Sequence, residues 1–332
     1  MITAKKAQVA LLVFALAISF VGSWQMASAT QTVETARTYR IGFHLWKPGK
    51  IYDEALQGIR DGLDLAGIKY EEVVVESQRS KELAQENLKK LDAMDLDIIY
   101  SLSSAGTKIA QRLALKTPVI ATVINHPASL GVGNKSEGPG TVITGTSYYV
   151  DAKKQIALYR KLFPKIDKVA MILDANNPAG TLAEEPFMRS ACEQLGIAFE
   201  SVKVTDAAHL TSAAQKLVEA GAGLIVVPTN RLVYANLDAV LAVTNAASVP
   251  VVSMNKQGVE NGALAALFAD TYNLGRLTVE MVRRVVVDGE DAANVDYEFV
   301  TNPDIIVNVS SANAINFEFP PEVLGSATIV VE

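Results

Sequence analysis

Short apolar runs alternate along the chain with segments whose apolar residues recur at helical spacing. Leu56, Ile59 and Leu63, for example, fall on one face of a helix. Runs such as Val119–Ala121 and Leu224–Val227 are unbroken, which is typical of strands buried on both faces of a parallel sheet. The alternation therefore predicts an α/β fold in which helices cover doubly wound, Rossmann-like sheets.

The first half of the chain has the clearest pattern. Its predicted strands are Tyr39–Phe43, Glu72–Val75, Asp97–Ser101, Pro118–Ile124 and Val142–Thr146. The predicted helices between them are Tyr52–Ala66, Lys81–Met94 and Ala105–Leu115. Near the C terminus, a helix is predicted over Tyr272–Val287, with strands over Tyr297–Val300 and Asp304–Val309.

The second half repeats landmarks of the first half in the same order and at nearly the same offset. The matched pairs are Asp64–Ser77 with Glu193–Asp206, Leu96–Gly106 with Ala222–Leu232, and Thr117–His126 with Val249–Gly258. Each match is weak alone, but their shared order indicates two lobes of one topology.

The boundaries of the two lobes follow from this repeat. The C-terminal residues, about 60 in number, are too few for a third core and should return to complete both lobes. We therefore expect residues 38–149 plus 271–303 in lobe 1 and residues 150–270 plus 304–332 in lobe 2. The chain would then cross between the lobes three times.

The N terminus resembles a cleavable export signal. Lys5 and Lys6 precede an apolar run, Ala7–Val21, and Met26–Ala29 supplies small residues at the spacing that signal peptidase requires. We expect residues 1–29 to be removed on export, which leaves no stable membrane insertion; the alternative is an uncleaved anchor. Because Cys192 is the only cysteine, no intramolecular disulfide can form, and export to a bacterial periplasm is favoured.

Charge limits the class of partner. The formal net charge is −6 and the isoelectric point is about 5.3, so nucleic acid and anionic membranes should repel the protein. No nucleophile elbow, Walker loop or dinucleotide fingerprint occurs in the sequence, and His44, His126 and His209 lack metal-ligand spacing. We therefore expect no enzyme activity, no metal and no cofactor, although carboxylates converging in a cleft stay an alternative.

Polar residues recur where the predicted strands end, which is where ligands bind in open α/β sheets. Two lobes that face each other there would form a cleft that can close on a solute. The candidate ligand-binding residues are Trp46, Ser103, Ser104, Gly106, Thr107, Asn125, His126, Asp174, Thr229, Asn230, Asn255 and Asp270. Each of the polar residues could instead be a helix cap or turn residue, and Trp46 could pack between the lobes.

The chain also resembles the ABC transporter substrate-binding family linked to aromatic amino acid uptake, which has a type I periplasmic binding protein fold. The resemblance covers about Tyr39 to Val323. It rests on Asp97–Gln111 (DIIYSLSSAGTKIAQ), Pro118–Val132 (PVIATVINHPASLGV), Thr144–Pro164 (TGTSYYVDAKKQIALYRKLFP), Val227–Val233 (VPTNRLV), Val259–Gly275 (VENGALAALFADTYNLG) and Ile305–Ile315 (IIVNVSSANAI). By position, the family's ligand loops fall on Ser103, Ser104, Gly106, Thr107, Asn125, Asp174, Thr229, Asn230 and Asp270.

The resemblance implies a binding protein rather than an enzyme. It implies a periplasmic, monomeric component of an importer, which takes a small polar solute to an ABC permease and its cytoplasmic ATPase. The solute could be an amino acid with an aromatic or apolar side chain. The chain departs from the family at His126-Pro127, where members often have Asp-Pro, and at Asn230, where they often have Asp. A periplasmic sensing subunit for a histidine kinase or chemoreceptor is the alternative.

Overall fold

A computed structural model of the protein describes residues 37–130 and 143–332. The expected signal peptide, residues 1–29, lies outside the described residues. The strands are β1 (Tyr39–Leu45), β2 (Tyr70–Glu76), β3 (Ile98–Leu102), β4 (Val119–Ile124), β5 (Ile143–Ser147), β6 (Lys168–Asp174), β7 (Ala198–Val204), β8 (Leu224–Val227), β9 (Val251–Ser253), β10 (Ala265–Phe268), β11 (Glu298–Phe299), β12 (Asp304–Asn308) and β13 (Ile329–Val331).

Helices connect most of these strands. They are α1 (Lys50–Leu65), α2 (Lys81–Asp92), α3 (Ser104–Arg112), α4 (Pro127–Leu130), α5 (Ala152–Leu162), α6 (Glu185–Gln194), α7 (Leu210–Glu219), α8 (Arg231–Tyr234), α9 (Asp238–Ala246), α10 (Lys256–Glu260), α11 (Thr271–Val282), α12 (Val309–Ala314) and α13 (Pro321–Ser326). Two π-helical turns, Gly180–Glu184 and Arg283–Val287, and two 3₁₀ turns, Ala207–His209 and Ala292–Asn294, complete the described elements.

The strands form two sheets. The first sheet has the order β11-β5-β4-β3-β1-β2 and all its pairs are parallel. The second has the order β13-β12-β10-β9-β8-β6-β7, and only the β10–β12 pair is antiparallel. These two sheets confirm the α/β class that the hydrophobic pattern predicts.

The predicted strands of the first sheet overlap those of the structure, and the differences have local causes. Strands β3 and β4 are buried along their whole length, as expected for central strands of a helix-covered sheet. Strand β2 lies at the sheet edge, so Glu71 and Glu72 are exposed within it, and the strand starts at Tyr70, earlier than its apolar pattern indicates.

A close helix pair fixes part of the C-terminal segment to the first sheet. Helix α11 packs against α1, and glycine is required on both helices at the crossing. A Cβ added at Gly275 would lie 2.1 Å from the Ala55 carbonyl oxygen, and one at Gly58 would lie 2.0 Å from the Tyr272 carbonyl oxygen. Tyr100 of β3 and Thr278 of α11 are hydrogen-bonded at 2.9 Å between their hydroxyl oxygens. The single helix predicted over Tyr272–Val287 continues past α11 only as a π-helical turn.

The chain passes between the two sheets three times: after β5, after β10, and between β11 and β12. These three crossovers agree with the predicted number. Residues 147–152, 268–271 and 299–304 span them. Within the described residues, no helix combines the length and the hydropathy needed to cross a membrane.

Candidate functional site

A cavity of about 420 Å³ lies between the two sheets, at the carboxyl ends of their strands. On the side of the first sheet it is lined by Lys47–Tyr52, Glu54, Arg79, Val123 and Tyr148. On the side of the second sheet it is lined by Thr229, Arg231, Tyr234 and Met254–Gln257, and the crossover after β10 contributes Phe268–Thr271. The cavity is therefore built from both lobes and from the chain that joins them.

Three cationic side chains at the cavity wall carry unpaired charge. Lys47 follows β1, Arg79 follows β2, and Arg231 is the first residue of α8 after β8. Among the described residues, none of the three forms an ion pair with a carboxylate. Burial lowers the pKa of Lys47, and the positive charges of Arg79 and Arg231 lower it further. We call Lys47, Arg79 and Arg231 the cationic cluster.

Backbone strain occurs in two segments that contribute to the cavity wall. Gln78 and Arg79 have φ of 50° and 65°, a backbone conformation that residues other than glycine rarely adopt. The backbone N–H of Arg79 donates to the Trp46 carbonyl at 2.9 Å. Val123 has φ of 54° where the register of β4 against β5 shifts. A β-branched residue in this region is an outlier, and such strain concentrates at functional sites.

Tyrosine rings lie next to the cationic cluster. The Lys47 Nζ atom is 5.9 Å from the centroid of the Tyr52 ring. Burial raises the pKa of Tyr52 to about 12; Tyr234 adds to the rise and Arg79 opposes it. Burial also raises the pKa of Tyr234, and Arg231 opposes that shift. Tyr52, on the side of the first sheet, and Tyr234, on the side of the second, therefore give the cavity wall aromatic area beside these cations.

A buried polar bridge connects the two sides of the cleft beside the cavity. The Asn125 amide, after β4, donates to Glu184 Oε1 at 2.8 Å and to Thr229 Oγ1 at 2.9 Å. Thr229 also donates to Glu184 Oε1 from its hydroxyl and its backbone amide. Glu184 is 1% exposed and ends the π-helical turn before α6.

The bridge leaves two oxygens without a hydrogen-bond partner, Glu184 Oε2 and Asn125 Oδ1. Burial raises the pKa of Glu184, while the hydrogen bonds from Thr229 and Asn125 oppose this shift. The protonated carboxyl is thereby favoured, because a buried charge loses its hydration.

The polar side chains predicted to bind ligand at the start of α3 form hydrogen bonds within the protein instead. Ser103, with φ of 137°, is the N-cap, and its Oγ accepts from the Gly106 amide at 3.0 Å. Ser104 Oγ accepts from the backbone N–H of Asn125 at 3.2 Å, and Thr107 Oγ1 donates to Ser101 Oγ at 3.1 Å. None of these loop residues lines the cavity.

The other predicted site residues divide into two groups. Thr229, Asn255 and Asp270 line the cavity. Asn255 and Asp270 also cap α10 and α11, by accepting at 2.8 Å from the Gly258 and Asn273 amides. Asn230, Asp174 and Trp46 do not line the cavity. Asn230 caps α8, and Asp174 accepts from the Asn176 backbone amide at 2.8 Å. Trp46 is half-buried.

His126 belongs to an aromatic cluster rather than to the cavity lining. Its ring centroid is 4.7 Å from that of Phe187, 5.0 Å from that of Tyr149 and 5.3 Å from that of Phe299. Burial lowers the pKa of His126 to about 4, and its Nδ1 accepts from the Ala128 amide at 3.0 Å. The ring is therefore neutral and packs as an apolar group.

Sequence reasoning missed the cationic cluster, Tyr52, Tyr234 and Glu184. The rule that places ligands at strand ends also applies to Lys47, Arg79 and Arg231, because each lies within four residues of a strand. The residues predicted at the strand ends are instead mainly small hydroxylic and amide side chains. Glu184 carries no such signal, because a π-helical turn buries it. In residues 37–130 and 143–332, no cluster of three or more His, Cys, Asp and Glu side chains forms a candidate metal site.

Comparison with known proteins gives one family match and several similar structures. The model of the family described as "ABC transporter substrate binding protein" matches residues 48–331. A curated relative, the tyrosine-binding protein of Clostridioides difficile strain R20291, is 24% identical over 224 residues. That match spans 67% of this chain and 64% of the relative's length.

Solved structures of similar proteins cover most of the chain. The ABC domain from Streptococcus pneumonia in complex with L-Trp has a TM-score of 0.72 at 20% identity, over 89% of this chain and 100% of that one. A ligand-free, open substrate-binding protein with adhesive properties from Clostridium difficile has a TM-score of 0.75 at 22% identity, over 89% of this chain and 99% of that one. At these identities the likeness concerns the fold, and it confirms the expected type I periplasmic binding protein fold.

Proposed function

Since the chain belongs to the ABC transporter substrate-binding protein family, we propose that it captures a small polar solute between its lobes and delivers it to an importer. The partners in this proposal are an ABC permease and its cytoplasmic ATPase. The solute leaves chemically unchanged, so the protein is a carrier rather than an enzyme.

One observation carries this proposal: a cavity of about 420 Å³ whose lining comes from both lobes and a crossover. A volume of this size suits a small molecule. Because the two walls belong to different lobes, a hinge motion at residues 147–152, 268–271 and 299–304 would open and close the cavity. The bridge among Asn125, Thr229 and Glu184 would form each time the lobes close.

The composition of the wall supports a solute with an apolar or aromatic part. Tyr52, Tyr148, Tyr234 and Phe268 line the cavity together with charged side chains. A tyrosine-binding relative and a structural neighbour in complex with L-Trp are consistent with an aromatic ligand. We therefore propose that the ligand stacks on tyrosine, and that its polar groups bind at strand ends.

The domain and location assignments are part of the same proposal. Lobe 1 comprises residues 38–149 plus 271–303, and lobe 2 comprises residues 150–270 plus 304–332. The sheet membership of β1–β5 and β11 on one side, and of β6–β10, β12 and β13 on the other, supports this division. The protein works as a monomer in the periplasm after removal of residues 1–29.

A thermal-shift screen of the processed protein tests solute binding. We expect a compound from a panel of amino acids, organic acids, nucleosides and sugars to stabilise it, by about 2.7 kcal/mol at 100 times its dissociation constant. Tyr234→Ala should lose most of the shift, because Tyr234 lines the cavity, whereas Leu324→Ala at an exposed position should keep it. A panel that leaves the melting temperature unchanged contradicts the proposal.

Uptake of the same compound separates transport from sensing. Cells that lack the protein should lose uptake of the labelled solute, and the wild-type chain should restore it. Binding without any effect on uptake would favour the sensing subunit instead.

A further inference from the structure

The charge of the cavity wall is opposite to that of the protein. The chain carries a formal net charge of −6, yet five cationic side chains and two carboxylates line the cavity. Two of these cations have partners: Lys50 lies 3.8 Å from Glu54, and Lys256 lies 3.8 Å from Glu260. The cationic cluster of Lys47, Arg79 and Arg231 accounts for the unpaired positive charge.

These three cations line the same cavity, Lys47 and Arg79 on the side of the first sheet and Arg231 on the side of the second. Like charges that converge on a cavity raise the free energy of the closed state until an anion sits between them. The positive charges of Arg79 and Arg231 act directly on the Lys47 ammonium. At Arg79 the backbone adopts φ of 65° and donates to the Trp46 carbonyl, so the fold tolerates strain in the segment that carries this cation.

Few carboxylates face these cations. Glu54 is near Lys50 and accepts from the Thr271 hydroxyl at 2.6 Å. Asp270 is the other acid of the lining, and one of its oxygens caps α11. A zwitterionic amino acid brings one carboxylate and one ammonium group, so it would leave positive charge in the cluster uncompensated.

Resting on the proposed function, we propose that the captured solute is a net-anionic organic acid. Its acidic groups bind among Lys47, Arg79 and Arg231, and its apolar part packs against Tyr52 and Tyr234. Guanidinium groups bind carboxylate and phosphate in a bidentate way, so either acidic group fits this chemistry. The lysine beside Tyr52 places the acidic site directly next to the aromatic surface.

Calorimetric titration of the processed protein tests this inference with probes that share a phenyl body and differ in charge. The anionic probes are phenylsuccinate, 4-hydroxyphenylpropionate and phenyl phosphate; the others are zwitterionic L-tyrosine and cationic tyramine. We expect the tightest anion to bind about tenfold more strongly than L-tyrosine, and tyramine to be the weakest. Comparing the affinity for phenyl phosphate with the affinity for phenylsuccinate shows whether the site prefers phosphate or carboxylate.

Matched variants test whether Arg79 and Arg231 are the residues that bind the anion. Arg79→Gln and Arg231→Gln should each weaken binding of the tightest anion about tenfold, because each removes a charged hydrogen-bond donor. Arg112→Gln removes the same charge at the exposed end of α3, outside the cavity, and should leave affinity within about twofold. Melting curves of the three variants without ligand establish that each is folded.

Three results would overturn the inference while the proposed function stands. One is L-tyrosine, or any uncharged solute of the wider screen, binding at least as tightly as every anion. Another is an anion whose affinity does not change in Arg79→Gln and Arg231→Gln. Failure of all three anions to bind at millimolar concentration also overturns it. Only a wider screen with no stabilising compound contradicts the proposed function itself.

Discussion

The loop Ser103–Thr107 and the cationic cluster both lie at carboxyl ends of strands, but their polar groups have opposite fates. In the loop, side chains cap α3 and form hydrogen bonds with the Ser101 hydroxyl and the Asn125 backbone, so the fold uses their hydrogen-bonding capacity. In the cluster, Lys47, Arg79 and Arg231 line the cavity without a carboxylate partner in the described chain. Position at a strand end is therefore not sufficient for a ligand site. The two regions differ in whether their polar side chains still lack a partner within the protein.

This contrast implies that substitutions in the two regions act on different equilibria. Removing a side chain that the fold uses should reduce stability and leave affinity intact. Removing an unpaired cation should reduce affinity and leave stability intact, because the change relieves repulsion among like charges.

The largest effect is expected from the double variant Arg79→Gln plus Arg231→Gln. Removing both guanidinium groups should weaken binding of the anionic solute by about 100-fold, since each charged hydrogen bond contributes about 1.5 kcal/mol or more. The free energy of unfolding without ligand should stay unchanged or rise. Titration and chemical denaturation measure the two quantities. A loss of stability with unchanged affinity would reverse the comparison.

The next effect is expected at the N-cap of α3. Ser103→Ala removes the acceptor of the Gly106 amide and should cost about 1 kcal/mol of unfolding free energy, with affinity within about twofold. Ser80→Ala is the matched control, because Ser80 Oγ caps α2 by accepting from the Leu83 amide at 3.1 Å. If Ser103→Ala abolishes binding and Ser80→Ala does not, the loop is a ligand site after all.

A pH-dependent effect is expected at the polar bridge, which belongs to neither region. Burial raises the pKa of Glu184, so its contribution to stability is present below the unfolded pKa and is lost as pH rises through the folded pKa. Glu184→Gln should therefore raise the melting temperature at pH 8 and change it little near pH 4. Melting curves across that range test this; a variant less stable at pH 8 contradicts it.

The smallest effect is expected at Lys50. Because Lys50 already lies 3.8 Å from Glu54, replacing it with Gln should weaken anion binding by less than about threefold. The comparison with Arg79→Gln tests whether pairing, rather than charge alone, decides which cations bind the solute. Equal losses in the two variants would show that pairing is irrelevant.

The fold was more accessible from the sequence than the site. Unbroken runs such as Leu224–Val227 and the helical face of Leu56, Ile59 and Leu63 report burial, which depends on patterns that a single segment contains. The prediction for the edge strand β2, Glu72–Val75, is shorter than the strand itself, because exposed Glu71 and Glu76 lie outside the apolar run Val73–Val75.

The site depends on contacts between segments distant in sequence, which no local pattern contains. Asn125 and Thr229 meet across the two lobes, and Glu184 joins them from a π-helical turn. Whether Arg79 is paired or free can be known only when every carboxylate near it is placed. A polar residue at a strand end correctly predicted that Thr229, Asn255 and Asp270 lie at the cavity. The same criterion also selected Ser103 and Asn230, which are helix caps outside the cavity lining.

A crystal structure of the processed protein with the tightest-binding solute tests the account most directly. We predict that the solute occupies the cavity between the lobes, with an acidic oxygen about 3 Å from guanidinium nitrogens of Arg79 and Arg231 and its apolar part on Tyr52 and Tyr234. A solute bound outside this cavity, or one whose acidic group points away from both arginines toward Ser103–Thr107, would contradict it.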